Sequence, residues 1–363
     1  MGPLSGYRIV ELGGLGPAPM CGLLLADLGA EIILVERPGD AEIGVDAVKS
    51  IERRGKRSIE LDLKDRRSIE IALKLIETAD GLIEGFRPGV AERLGLGPDS
   101  CRAHNSKLVY GRVTGWGQDG PLAQTAGHDI NYISIAGALH AIGPAGGPPV
   151  PPLNLVGDYG GGAMYLACGM LAGLLEAQVS GRGQVVDAAM LDGALFQMSL
   201  FFSLHAAGRW RGERGGNDVD GGAPYYRTYE TRDGRFVAVG ALEQKFYEEL
   251  VNGLGLDAAG LPDRMDPNNW PNLTARFEAA FKAKSQREWG AIFDGTDACI
   301  TPVLPLTEVA DHPHVIAREC IVEIAGLAQP RPGPRFSRST LADPSSPEEK
   351  GASTAAILEE LGF

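Results

Sequence analysis

A histidine and an aspartate, each set beside glycines at the predicted start of a helix, have the residue types and spacing best suited to chemistry. His128 follows Gly127, and Asp158 comes about thirty residues later, shortly before three consecutive glycines. An imidazole and a carboxylate that face one cavity can take a proton from a carbon next to a carbonyl and return it. Each residue also has a plainer interpretation, because a lone histidine is more often packed or capping and Asp158 suits an N-cap.

A second group of candidate residues is basic. Four bases lie within the stretch 53–57, and four more lie in loops at predicted strand ends, the edge where open α/β sheets bind ligands. These eight residues are Arg53, Arg54, Lys56, Arg57, Arg37, Lys64, Arg87 and Arg93. Because the chain as a whole is acidic, this local positive charge predicts an anionic ligand with several phosphates. For any single arginine, a solvated surface position is the simpler interpretation.

The loop after the first predicted strand has some features of a dinucleotide-binding turn. Glycines at 13, 14 and 16 resemble a dinucleotide-binding turn, and Glu36 ends the next strand where a ribose-binding acid would lie. The third glycine position is filled by Pro19, and prolines lack the N–H groups that hold a pyrophosphate. We therefore interpret this loop as a tight turn that leads into a buried helix.

The elements that position these residues alternate between strand and helix in the first half of the chain. Predicted strands lie at 7–12, 32–35, 58–61, 81–84 and 108–113. Short strands that alternate with helices predict an α/β fold with a parallel sheet and helices on both faces. Further apolar helices are expected over about 158–179 and 190–207.

The pattern changes after residue 222. Two alternating runs on either side of Asp233 and Gly234 predict a β-hairpin, followed by helices. We expect a large ligand-binding domain over 1–207, to which 325–363 return. A glycine-rich linker is expected over 208–222, and a small α+β domain over 223–324.

Composition and charge limit the class of protein. The chain has 363 residues, 44% hydrophobic and 22% charged, with 50 glycines, and is expected to fold as about two domains. The net charge of −13 argues against nucleic acid or an anionic membrane surface as a partner. Five scattered cysteines without a C-x-x-C pair predict reduced thiols and no zinc site. The sequence shows no secretory leader and no apolar run of about 18 residues, so a soluble, cytoplasmic enzyme is expected.

The chain resembles the α-methylacyl-CoA racemases of the family III CoA-transferase superfamily over nearly its whole length. The motifs that carry this resemblance are Arg54-Gly55-Lys56-Arg57-Ser58, Leu61-Asp62-Leu63-Lys64, Glu84-Gly85-Phe86-Arg87-Pro88-Gly89, Gly115-Trp116-Gly117-Gln118, Gly127-His128-Asp129-Ile130-Asn131-Tyr132, Asp158-Tyr159-Gly160-Gly161-Gly162 and Gly221-Gly222-Ala223-Pro224-Tyr225-Tyr226. The resemblance implies a large Rossmann-like domain, a small α+β domain and an interlocked homodimer. Active sites then form between the large domain of one chain and the small domain of the other. It implies no separate cofactor and no metal, because CoA is part of the acyl-CoA thioester substrate.

The resemblance also implies roles for single residues. His128 is the base on one face of the substrate, and Asp158 is the acid–base on the other face. Glu243 orients His128, and Asn154 supports Asp158. Positions that match the CoA-binding stretches are Arg37, Leu61, Leu63, Lys64, Gly85, Phe86, Arg87 and Arg93. The same motifs add Gly127, Asp129, Tyr132, Gly157 and Tyr159 to the substrate-binding set.

The activity implied is interconversion of 2R- and 2S-2-methylacyl-CoA thioesters by 1,1-proton transfer through an enolate. Burial would raise the pKa of the Asp158 carboxyl, and backbone N–H groups near this residue would meet the enolate oxygen. The glycines at 160–162 would leave room for the acyl chain to swing between the bases. Two alternatives are a CoA-transferase with Asp158 as nucleophile and a non-catalytic acyl-CoA-binding protein. Transferases of the superfamily characteristically lack the histidine, so His128 favours the racemase. Branched fatty acyl, sterol side-chain and arylpropionyl groups all remain candidate acyl groups.

Overall fold

The computed structural model describes residues 1–39 and 45–363, which form two compact units. The first unit consists of Met1–Ala136, Leu153–Met198 and His314–Phe363, and the second of Gly137–Pro152 and Ser199–Pro313. The boundary therefore falls after Met198, and the glycine-rich stretch 208–222 lies within the second unit. There the Asp220 carboxylate accepts hydrogen bonds from the amides of Gly215, Asn217 and Gly222 at 2.9–3.1 Å.

The strands and helices of the described residues follow in chain order. The strands are β1 (Arg8–Leu12), β2 (Glu31–Glu36), β3 (Lys56–Glu60), β4 (Gly81–Glu84), β5 (Val109–Thr114), β6 (Val185–Ala189), β7 (Tyr226–Glu230), β8 (Phe236–Gly240), β9 (Ile300–Pro302), β10 (Ile321–Ile324) and β11 (Leu327–Pro330). The α-helices are α1 (Pro17–Asp27), α2 (Arg66–Glu77), α3 (Val90–Arg93), α4 (Pro98–His104), α5 (Asp129–Ile135), α6 (Ala138–Ala141), α7 (Tyr165–Ser180), α8 (Met190–Gln197), α9 (Ser199–Ala206), α10 (Gln244–Leu254), α11 (Trp270–Phe281), α12 (Gln286–Phe293), α13 (Pro313–Ala317) and α14 (Thr354–Leu361).

The first unit is built on a six-stranded parallel sheet with the order β3-β2-β1-β4-β5-β6. Strand β1 pairs with β2 on one side and with β4 on the other, so that Val10 lies beside Ile33 and Leu82. These strands read as apolar runs because helices cover both of their faces. The predicted Rossmann-like α/β fold is confirmed, and the chain order reverses direction between β1 and β4.

Two apolar clusters hold the helices onto the two faces of this sheet. One contains Leu25 of α1 and Met170 of α7, packed with Ile9 and Ile32 of the strands. The other contains Leu75 of α2, packed with strand residues that point to the opposite face. The side chains alternate between the clusters along each strand, as the period of two requires.

The carboxyl-terminal segment covers the free edge of β3. The backbone and hydroxyl oxygens of Ser58 accept hydrogen bonds from the amides of Ser353 and Gly351, at 3.0 and 2.8 Å respectively. The amide of Glu60 donates to the hydroxyl of Thr354, and Arg57 pairs with Glu360 of α14 at 2.7 Å. An edge strand with free N–H and C=O groups is a template for unwanted pairing, and this segment removes most of those groups from β3.

The second unit contains the predicted hairpin, formed by antiparallel β7 and β8, and a third strand, β9, beside β8. Its core is strongly aromatic. Tyr229 stacks on Phe281 with ring centres 4.9 Å apart, and Phe281 meets Trp289 edge-on at 5.3 Å. This small sheet is stabilised largely by the burial of such large rings against α11 and α12.

Two predicted helices differ from those in the structure. The helix expected from residue 158 begins at Leu155 as a π-helical segment, Leu155–Met164, and continues directly as α7. The helix expected over 190–207 is interrupted at Met198, so α8 and α9 are separate helices. Among the described residues, the continuous helix Leu155–Ser180 is long and apolar enough to cross a membrane by length and composition, with 39% of its apolar window buried. Core helices of soluble proteins pass the same test, so this is weak support for a membrane span.

Candidate active site

A cavity of about 580 Å³ opens in the first unit, near the carboxyl ends of the parallel strands. Both His128 and Asp158 contribute to its wall. The other residues that line it are Leu15, Gly16, Pro17, Val45, Lys49, Ser50, Ile51, Glu52, Tyr132, Asn154, Tyr159 and Met190. Five of these residues have apolar side chains, and the charged groups of Lys49 and Glu52 lie among them. The cavity therefore combines two titratable groups with a hydrocarbon-compatible wall, as expected for a small-molecule site.

His128 is held by the local structure at the start of α5. It is the N-cap residue, and its backbone N–H donates to Oδ1 of Asn131 at 3.0 Å. The preceding Gly127 is required by packing, since a Cβ there would lie 2.8 Å from the Tyr132 ring and 3.1 Å from the Trp116 ring. Those two rings meet edge-on, 4.8 Å apart, directly beneath the histidine turn. The imidazole itself is left exposed.

Asp158 lies in the first turn of the π-helical segment. Its Oδ2 accepts a hydrogen bond from Nδ2 of Asn154, the N-cap residue of that segment, at 3.3 Å. Burial raises the pKa of the Asp158 carboxyl above its ordinary value, and the negative charge of Asp129 adds to this effect. The hydrogen bond from Asn154 and the charge of His128 act in the opposite direction. A carboxyl group with a raised pKa is better matched to proton transfer near neutral pH.

Asp129 connects the two candidate bases through the backbone. Its buried Oδ1 accepts hydrogen bonds from the amides of Gly157 at 2.6 Å and Asp158 at 2.8 Å. The residue after His128 thus fixes the backbone of Asp158. These two N–H groups already have an acceptor, so they are not free to meet an enolate oxygen. The expectation that amides near Asp158 do so stays a prediction for the other N–H groups of this helix start. Gly157 also lacks room for a side chain, since a Cβ would lie 2.4 Å from Asp129 Oδ1.

The three glycines after Tyr159 are needed for helix packing. A Cβ on Gly161 would lie 2.8 Å from the carbonyl oxygen of Met190, and one on Gly162 would lie 2.9 Å from Cβ of Pro17. These positions bring the π-helical segment against α8 and α1. The expectation that the glycines leave room for an acyl chain is therefore wrong, because neighbouring protein atoms already occupy that space.

Tyr159 and Glu52 form a polar pair in the cavity wall. The Tyr159 hydroxyl donates to Oε1 of Glu52 at 2.8 Å. Burial, together with this hydrogen bond and the charge of Glu52, raises the pKa of Tyr159 to about 12. The sequence offered no sign of Glu52, which lies in a 3₁₀ turn, Ile51–Arg53, far from the glycine-flanked motifs.

The basic stretch 53–57 does not face the cavity as a group of free cations. Arg53 pairs with Glu36, and Arg54 pairs with Asp27 at 2.6 Å and also donates to Gln329. Lys56 is buried against Glu11, with 2.7 Å between Nζ and Oε2, and donates to the Pro19 carbonyl. Arg57 bonds to Glu31 and Glu360. The expectation that these four bases bind phosphates is therefore wrong, because each already has a protein partner.

The remaining predicted CoA-binding residues follow the carboxyl ends of three strands of the parallel sheet, β2, β3 and β4. Arg37 follows β2; Leu61, Leu63 and Lys64 follow β3; and Gly85, Phe86, Arg87 and Arg93 follow β4. The cations among them are exposed, Leu61 is buried, and Leu63 and Phe86 are half-buried. The positive charge of Arg87 also acts on Tyr132, which lines the cavity. The roles of these residues stay predictions.

Glu243 lies in the second unit, where it is exposed at the N-cap of α10. Its turn is held by Arg264, whose guanidinium donates to the carbonyls of Ala241 and Leu242 at 3.3 and 2.9 Å. Within residues 1–39 and 45–363, no group of three or more His, Cys, Asp or Glu side chains is placed to hold a metal ion.

Comparison with known proteins agrees with the resemblance seen in the motifs. Residues 4–348 match the CoA-transferase family III domain. The chain is 44% identical to the α-methylacyl-CoA racemase of Mus musculus, over 99% of this chain and 93% of that protein. It is 43% identical to the α-methylacyl-CoA racemase of Homo sapiens, over 99% and 94%. A crystal structure of a CAIB/BAIF family protein from Brucella suis superposes with a TM-score of 0.85 at 27% identity and covers 99% of both chains.

Proposed function

The chain belongs to CoA-transferase family III, and on that premise we propose that it interconverts the 2R and 2S epimers of 2-methylacyl-CoA thioesters. One observation carries this proposal: an imidazole and a carboxylate with a raised pKa line the same cavity. The full-length similarity to two α-methylacyl-CoA racemases supports the choice of substrate class.

The reaction requires two bases on opposite faces of the α-carbon. One base takes the α-proton, and the electrons of the broken C–H bond move into an enolate on the thioester oxygen. The other base then donates its proton to the opposite face of that carbon and inverts its configuration. Asp158 and His128 exchange these roles according to which epimer is bound. Asp129 holds the backbone of Asp158 relative to His128, so both bases are positioned before the substrate arrives.

The CoA part of the substrate is proposed to bind along the strand ends. Lys64, Arg87 and Arg93 are exposed cations suited to phosphate groups, and the half-buried Leu63, next to the buried Leu61, offers apolar surface for the adenine. We propose that the protein works in the cytoplasm as an interlocked homodimer in which the partner's Glu243 orients His128. Exposed apolar side chains on α7, among them Leu175 at 64% and Val179 at 90% exposure, support such an interface.

A CoA-transferase that uses Asp158 as nucleophile is the alternative. His128 beside Asp158 favours proton transfer, because anhydride chemistry at the carboxylate does not require a second base. Hydroxylamine trapping separates the two mechanisms. A trapped acyl anhydride on Asp158 would support the transferase, whereas the racemase leaves Asp158 unmodified.

The proposal is tested by incubating one pure epimer of a 2-methylacyl-CoA with the enzyme in deuterated water. We expect racemisation with deuterium at the α-carbon, followed by NMR and mass spectrometry. His128→Ala should slow the exchange by about 100-fold or more, because general acid–base catalysis contributes about 10²–10⁴-fold.

The matched control is His104→Ala, which removes an exposed histidine that bonds to Glu77 and does not line the cavity. Its exchange rate should equal that of the wild type. Racemisation without deuterium incorporation would refute the enolate path, and undiminished activity of the His128 variant would refute its assignment as a base.

A further inference from the structure

The cavity wall contains a carboxylate that proton transfer at the α-carbon does not require. Glu52 is half-buried there, and its Oε1 accepts the hydrogen bond from Tyr159. In the part of the chain that the structure describes, no Lys, Arg or His nitrogen lies within 4.0 Å of this carboxylate. The adjacent Arg53 is directed instead to Glu36. Glu52 is therefore a charged acceptor with only one of its two oxygens bonded to protein.

The cavity wall around Glu52 combines apolar side chains with the polar side chains of Lys49 and Ser50. Leu15, Val45, Ile51 and Met190 line the same cavity, together with Pro17. His128 and Asp158 fix where the reacting carbon must lie, so the rest of the acyl group is expected to lie in the same cavity, whose whole volume is about 580 Å³. Besides the groups around the reacting carbon, an acyl chain in this cavity thus meets apolar side chains and the polar groups of Lys49, Ser50 and Glu52, among which Glu52 offers the carboxylate acceptor.

A plain hydrocarbon chain is a poor match to this wall. It would remove water from Oε2 of Glu52 and offer no hydrogen bond in return, which costs free energy. A hydroxyl group on the chain replaces the lost water, and the rest of the chain still packs against the apolar side chains. Sites with a buried hydrogen-bonding group reject analogues that lack the matching partner.

We propose that Glu52 makes this cavity selective for 2-methylacyl groups that carry a hydroxyl group. The inference rests on the proposed function and adds the class of acyl group to it. Tyr159 is the positioning residue of this arrangement, because its hydroxyl occupies Oε1 and leaves Oε2 to the ligand. A phenol with a pKa near 12 stays protonated, so it remains a donor to Glu52 throughout the neutral range.

The test compares 2-methyldecanoyl-CoA with analogues that differ only by one hydroxyl group, placed in turn at successive carbons of the chain. For the wild type we expect one or more hydroxylated thioesters to exceed the parent by about tenfold in kcat/KM for α-proton exchange. In Glu52→Leu the parent and the hydroxylated thioesters should have about equal values of kcat/KM. Glu52→Gln retains an acceptor oxygen without the charge and should keep part of the preference.

The matched control is Asp46→Asn, which removes an exposed carboxylate from the same segment outside the cavity wall. It should keep the wild-type preference. Equal use of parent and hydroxylated thioesters by the wild type, or a preference that survives in Glu52→Leu, would overturn the proposal. Dissociation constants of the same thioesters, measured by calorimetry, give a second readout. If no thioester exchanges its α-proton, the proposed function fails, while the ratio of these constants still decides the role of Glu52.

Discussion

Two sets of basic residues in the first unit behave in opposite ways. In the stretch 53–57, four bases lie close together in sequence, and each is bonded to a carboxylate or a carbonyl of the protein. Lys64, Arg87 and Arg93 are scattered along the chain, yet all three are exposed beyond the carboxyl ends of two strands of the sheet, β3 and β4. The dense set is engaged within the fold, whereas the scattered set lies at the edge of the sheet where we propose that CoA binds.

This difference shows that local charge density does not identify a phosphate site. In and beside a strand such as β3, residues that are close in sequence contact different parts of the protein. Each base there pairs with its own acid. Residues at the ends of different parallel strands converge on one edge of the sheet, where no protein partner is needed. The pairing of each base decides its role, and pairing depends on contacts that are distant in sequence.

The largest effect on the free energy of unfolding is expected when Lys56, the most buried of the four paired bases, is replaced. Lys56 and Glu11 have side-chain exposures of 1% and 0%. Lys56→Met leaves the Glu11 carboxylate buried without a partner and should lower the free energy of unfolding by about 3–5 kcal/mol. Guanidinium denaturation measures this loss.

The control for this variant replaces both partners. The Glu11→Met, Lys56→Met double variant should recover most of the stability, since apolar pairs often replace buried ion pairs at little cost. If Lys56→Met lowered the free energy of unfolding no more than the loss of an exposed arginine does, the contrast between the two sets would be wrong.

For the scattered set we expect a smaller effect, which lowers the affinity for CoA and leaves the free energy of unfolding nearly unchanged. Arg87→Ala should leave the free energy of unfolding within about 0.5 kcal/mol of the wild type. Its affinity for CoA should fall by about tenfold, equivalent to about 1.4 kcal/mol. Calorimetric titration with CoA and chemical denaturation give the two values.

Arg66→Ala is the matched control, because Arg66 is 93% exposed and pairs with Glu70 on its own helix. Both its CoA affinity and its stability should stay unchanged. If Arg87→Ala strongly lowered the free energy of unfolding but left the affinity for CoA unchanged, Arg87 would belong with the paired set.

The smallest change is expected at the half-buried Asp158, where replacement should raise the free energy of unfolding because the charge of His128 does not offset the cost of burial. The pKa of Asp158 is raised in the folded protein, so its protonated form is favoured there and stability is lost as the pH rises through the folded pKa. Asp158→Asn should therefore be more stable than the wild type at neutral pH and should lose α-proton exchange. The stability difference should vanish below the ordinary pKa of aspartate, as measured by denaturation over a pH series. A variant that is less stable at neutral pH would contradict this assignment.

The parallel sheet was predictable because burial on both faces makes its strands read as apolar runs, as in Glu31–Glu36. The interruption at Met198 was not predictable, because the residues on both sides form one apolar, helix-compatible run. The early start of the helix at Leu155 has the same cause. The assignment of Gly137–Pro152 to the second unit depends on contacts with residues beyond 199, which local periodicity does not report.

The candidate site was predictable where a local pattern marks it. Glycines beside His128 and Asp158 point to helix starts, and both residues line one cavity. The role of Asp129 was not visible, because its acceptor oxygen meets the backbone of residues 28 and 29 positions away. Tyr159 and Glu52 are 107 residues apart, and no spacing rule connects them. The glycines at 160–162 were visible, but their packing against α8 became clear only from the fold.

The carboxyl-terminal segment that covers β3 also determines the order in which the chain can fold during synthesis. Strand β3 is complete at residue 60, but its outer edge is covered by residues 345–354 and by Glu360. The second unit ends at Pro313 and can form while the ribosome is still adding the covering segment. The edge of β3 in the larger unit can therefore be covered only after this segment has been synthesised. A nascent chain that stalls before residue 345 presents an open strand edge to which another polypeptide can add.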